Sequence, residues 1–115
     1  MNSHTKRRSI VLLPSLERTI ERINDKKQLE LILKAKEKIE RMGRDALKIL
    51  YVRKNYAIGE IKYKSPPYRL YVIYDQNDET FYLALWVHKK LQEKIMQKMK
   101  KELEDVLIYG VEHLL

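Results

Sequence analysis

The residues of this chain best suited to chemistry gather in two stretches, "EIKYKSPPYRLYVIYD" at 60–75 and "LALWVHKK" at 83–90. The first sets Lys62, Lys64 and Arg69 around a turn at Ser65, Pro66 and Pro67, with Tyr71 two positions beyond the arginine. The second carries Trp86, His88, Lys89 and Lys90. Lysine and arginine neutralise phosphate, and tyrosine and tryptophan rings stack on unpaired bases, so a cationic surface bearing such rings suits single-stranded RNA. A solvated outer sheet face with incidental lysines and interface aromatics meets the same pattern. An acidic protein partner would answer the same charge.

The rest of the composition narrows the chemistry. Across 115 residues, 24 Lys and Arg stand against 16 Asp and Glu, a net charge of +8. Such an excess favours polyanions, because each phosphate neutralised releases condensed counterions. Lys- and Glu-rich solvated helix faces, common in hyperthermophiles, are the bland alternative. There is no cysteine, which removes disulfides, thiolate metal sites and cysteine nucleophiles together. The histidines, at 4, 88 and 113, are too far apart for a local metal-ligand spacing, so no metal and no cofactor is expected. The apolar run after the basic N-terminus, Ile10 to Leu13, is too short for a signal sequence, and nothing approaches the roughly 18 apolar residues of a membrane span. A cytoplasmic protein is expected.

A single domain over 1–115 must position these residues, with 1–8 as a basic arm and 111–115 as a tail. Ser9 to Leu13 reads as a strand stopped by Pro14, and Ser15 as the cap of a short helix over 16–23. Asp25 opens a second helix over 26–42 with apolar residues near helical period, ended by Gly43. "RDALKILYVRKN" has no clear period. From "YAIGEIKYK" onward the period is two, and two turns separate three strands into an antiparallel meander. A long amphipathic helix runs from Lys89 to Gly110. The expected fold is therefore α+β: an N-terminal strand and two helices packed on a small antiparallel sheet, the three-stranded meander plus the first strand, with a C-terminal helix. If one face of that sheet buries Ile61, Tyr63, Leu70, Val72, Phe81, Leu83, Leu85 and Val87, then Lys62, Lys64, Arg69, Tyr71, Trp86 and His88 share the other.

This order of elements, with "EIKYKSPPYRLYVIYD" and "ETFYLALWVHKK", resembles the RelE/ParE superfamily of toxin-antitoxin toxins. "PYRLYVIYD" is similar to the family's Tyr-Arg-Val or Tyr-Arg-Leu motif after the hairpin turn, and "LALWVHKK" to its aliphatic strand with a basic end. The likeness covers roughly Ser9 to Lys90 in element order and is specific over 60–90. It implies a metal-free, ribosome-dependent mRNA endonuclease that inhibits translation and is neutralised by a cognate acidic antitoxin. Carried over by position, Lys62, Arg69 and His88 are the implied catalytic residues. Arg69 would clamp the phosphorane, Lys62 would act as base or second electrostatic stabiliser, and His88, of the residue type that exchanges protons near neutral pH, as acid or base. Lys64, Tyr71, Trp86, Lys89 and Lys90 would bind RNA. The first of the family's two hairpin lysines falls on Glu60, and its C-terminal tyrosine near Ile95. Two alternatives follow from the same superfamily: a gyrase-binding toxin of the ParE kind, or a module of this fold that binds RNA or protein without catalysis.

Overall fold

The computed structural model describes residues 8–115. Strand β1, Ser9–Leu12, leads into helices α1, Pro14–Arg22, and α2, Lys26–Met42. Strands β2, Lys48–Arg53, β3, Tyr56–Lys62, β4, Tyr68–Asp75, and β5, Thr80–His88, then follow, and helix α3, Gln92–Tyr109, closes the chain. The strands form one five-stranded sheet in the order β1-β5-β4-β3-β2. The α+β class is as the sequence indicates, with a C-terminal helix after the sheet. Two details of the sheet differ. The meander has four strands, because "KILYVR" adds β2 at the edge, and β1 lies parallel to β5, which makes the sheet mixed. β2 escapes a period-two reading because Leu50 has no cross-strand partner: Ile49 pairs with Gly59 and Tyr51 with Ile58. One extra residue breaks the alternation of its apolar side chains.

Local signals set most boundaries. The Asp25 side chain accepts from Lys27 N and caps α2, while Gly43 at φ 60° and Gly110 at φ 91° end α2 and α3 in a backbone region open to glycine. Ser15 does not cap α1. Leu13 holds that position and Pro14 begins the helix, where its missing N–H costs nothing. The Ser15 hydroxyl instead donates to Ala84 O at 2.7 Å. That carbonyl belongs to a second bulge: Val72 pairs with Leu83 and Tyr71 with Leu85, which leaves Ala84 unpaired on β5. The hydroxyl thus gives the carbonyl of the unpaired residue a donor.

Both faces of the sheet are covered. On one, Leu16, Leu31, Ile32, Ala35 and Ile39 of α1 and α2 pack on Ile61, Leu70, Val72, Phe81, Leu83 and Trp86. On the other, Met99, Leu103 and Val106 of α3 pack on Ile58, Tyr71, Ile73, Tyr82 and Ala84. The expectation of one open face therefore fails. The basic arm expected over 1–8 lies outside the described residues except for Arg8, whose Nη1 donates to Glu40 O at 3.0 Å and so ties the start of β1 to a carbonyl near the end of α2. The expected tail is docked: Leu114 is buried, and His113 Nε2 lies 3.5 Å from Asp105 Oδ2 on α3. No helix among the described residues is long and apolar enough to cross a membrane.

Candidate nucleic-acid interface

The β3–β4 hairpin sets the spacing of the cations. Its register pairs Lys62 with Arg69, and β4 pairs Arg69 with Val87, so the arginine stands on the middle strand of a three-strand row. Tyr63 N donates to Tyr68 O at 2.9 Å and closes the hairpin, while Lys89 N donates to Pro67 O at 3.0 Å and pins the end of β5 beside the turn. As a result Lys62, Lys64, Arg69 and Lys89 line one groove of about 340 Å³ together with Tyr63 and Pro67. No carboxylate among the described residues lines it. Lys62 also borders a larger recess of about 610 Å³ against α2, where Lys34, Lys38 and Arg41 are interspersed with Glu37 and Glu40. The mixed charge of that recess makes the smaller groove the better anion site.

The remaining expected site residues are not brought there. Tyr71 is 0% exposed beneath α3, so its ring stacks on no base. Trp86 is 4% exposed on the opposite face, stacked on Tyr68 at 5.3 Å between centroids, with Nε1 donating to Gln28 Oε1 at 2.9 Å. It is a core residue and not a base platform. His88 belongs to that same face: it pairs with Tyr68, meets its ring edge-on at 5.4 Å, and accepts through Nδ1 from Lys90 N at 3.1 Å. His88 therefore shapes the turn into α3, with the sheet between it and the Arg69 face. Lys90 is exposed next to the groove without lining it. Tyr71 is lost to the cover of α3, and for Trp86 and His88 the cause is the Ala84 bulge. It carries Leu85 and Val87 to the α3 face and turns Trp86 and His88 away from Arg69.

Behind the groove lies a polar cluster. Glu60, directly across from Tyr71, is 2% exposed, and its Oε1 stands 3.7 Å from Nε of Arg69, whose side chain is 14% exposed. Neither atom completes a hydrogen bond at that separation, nor does the Tyr71 hydroxyl find a partner among the described residues. Nη1 of Arg69 donates to Oε1 of Gln92, the first residue of α3. Burial, reinforced by the charge of Glu60, pushes the Tyr71 hydroxyl up to about 12, and burial also raises that of Tyr63. Glu60 is thus an internal anchor of the arginine, in place of a groove cation. Its same-face, diagonal relation to Arg69 was available from the hairpin register; the contribution of Gln92 was not, because it depends on where α3 lands.

Comparison with protein-family models, with curated proteins and with solved structures finds no match to this chain. The functional reading therefore rests on the groove itself. Among the described residues, no cluster of three or more His, Asp or Glu side chains is placed to hold a metal ion. What the groove offers is a set of four cations, three of them exposed lysines and one an arginine held from behind.

Proposed function

We propose that this chain is a toxin of the RelE kind, a metal-free endoribonuclease that cuts mRNA on the ribosome in the cytoplasm and is restrained by an acidic antitoxin. The observation that carries the reading is the convergence of Lys62, Lys64, Arg69 and Lys89 on one groove that no carboxylate among the described residues lines. In this reading Arg69 binds the scissile phosphate and stabilises the charge of the phosphorane, while Lys64 and Lys89 hold the flanking phosphates. Lys62, acting in its unprotonated form, takes the proton of the ribose 2′-OH, whose oxygen attacks phosphorus to form a cyclic phosphate as the bond to the 5′-oxygen breaks. That 5′-oxygen takes up a proton from water. His88, turned to the other face, supports the Lys89–Lys90 turn by its cap.

Purified protein added to translating ribosomes should cleave mRNA, Arg69→Ala should abolish cleavage, and His88→Ala should retain most of it. Cleavage that survives Arg69→Ala would refute the site. One observation favours a second reading: Arg69 is already engaged by Glu60 and Gln92. That engagement suits a module that binds RNA or protein without catalysis. RNA binding with no cleavage on ribosomes would support it, and inhibition of gyrase supercoiling would favour the ParE-like form.

A further inference from the structure

Arg69 is held on two sides. A guanidinium clamps a phosphate through a pair of adjacent N–H groups, either Nη1 with Nη2 or Nη2 with Nε. Gln92 Oε1 occupies Nη1, and Glu60 Oε1 stands at the Nε side. The two holders differ in permanence. Glu60 sits on the interior strand β3 and is buried, so packing holds its carboxylate in place. Gln92 is half-buried at the first position of α3, and its amide reaches Arg69 from a flexible side chain.

We propose that the Gln92 amide oxygen is a displaceable stand-in for a phosphate oxygen, so that the groove arginine is preformed but self-occupied until a nucleic-acid phosphate takes its place. Glu60 is the positioning residue that keeps the guanidinium in line while the exchange occurs. A neutral amide is the weaker partner for an arginine, because hydrogen bonds to an ionised acceptor are roughly twice as strong as neutral ones. An incoming phosphate therefore wins the exchange, at an affinity lowered by the contact it has to displace. The proposal rests on the reading of this groove as a phosphate site and adds an affinity-setting residue to it. It also gives the carboxylate at position 60 a purpose, since a lysine there would repel Arg69 from behind.

The test is fluorescence anisotropy of the full chain with a short 2′-O-methyl oligoribonucleotide, which cannot form the cyclic phosphate, at fixed ionic strength. Gln92→Ala should bind roughly fivefold more tightly than the parent, the scale of one hydrogen bond removed from competition. Gln92→Glu, which puts a full carboxylate on Nη1, should bind at least about tenfold more weakly. In the Arg69→Ala background, Gln92→Ala should change nothing. A Gln92→Ala effect of equal size with and without the arginine, or no effect with it, overturns the stand-in while leaving the groove reading intact, provided that Arg69→Ala alone weakens binding. If Arg69→Ala binds as the parent does, the groove reading fails and the stand-in with it. Circular dichroism melts run beside each variant separate these outcomes from unfolding.

Discussion

Replacing Glu60 by leucine should cost far more stability than a surface carboxylate would, and the loss should vanish when Arg69 is replaced as well. The carboxylate is 2% exposed and the guanidinium 14% exposed, 3.7 Å apart. At about 4 Å and an effective dielectric near 20, opposite charges attract by about 4 kcal/mol, a gain largely offset by the desolvation of both. Removal of Glu60 alone deletes the attraction and leaves the guanidinium desolvated, for a loss of about 3 kcal/mol. For a domain of this size that lowers the melting temperature by roughly 12 °C. Arg69→Met should lose a similar amount. The double variant, with an apolar pair in place of the ionic one, should return to within about 1 kcal/mol of the parent. Urea unfolding followed by circular dichroism measures all four proteins. If the two single losses simply add in the double variant, within about 0.5 kcal/mol, the residues are not coupled and Glu60 is not the anchor of Arg69.

Two further outcomes follow from buried aromatic residues. Trp86→Phe should lower stability by about 1 to 2 kcal/mol, since it gives up the Gln28 bond and part of the stack on Tyr68, and should leave affinity for single-stranded RNA unchanged. A fall in RNA affinity with an unchanged melt would restore Trp86 as a stacking platform. The hydroxyls of Tyr71 and Tyr74 are both pushed up to about 12, chiefly by burial, so the folded state keeps their protons after the unfolded chain has lost them. The stability they contribute is complete below pH 10 and is lost as pH rises from about 10 to about 12, by roughly 2 to 3 kcal/mol apiece. Denaturant midpoints across that window, with tyrosinate absorbance recorded in parallel, should fall more steeply for the parent than for Tyr71→Phe. Equal slopes would contradict the assignment.

Much of the architecture was legible because it rests on local chemistry. Pro14, Asp25, Gly43 and Gly110 each mark a boundary, and a proline pair between two alternating runs can only be a turn. The spacing of Lys62, Lys64 and Arg69 around that turn was equally legible, since hairpin register alone brings them together. β2 was not, because its bulge erases the period that identifies a strand. The docking of the last five residues depends on Leu114 finding the core under α3, which no local pattern states.

By itself, the sequence determined the order of the elements other than β2, the hairpin and the cluster of cations at its end. Only the tertiary structure decided which side chains face them. Alternation assigns residues to two sides but cannot say which side a helix will cover when both are rich in apolar residues. The unpaired Ala84, a single residue with no mark in composition, then exchanges the sides from Leu85 onward. It sends Trp86 and His88 to the far face, while α3 buries Tyr71 and sets Gln92 against Arg69. The cations stayed where the hairpin put them because a turn fixes its own register, whereas the aromatic and histidine partners depended on contacts made across the whole sheet.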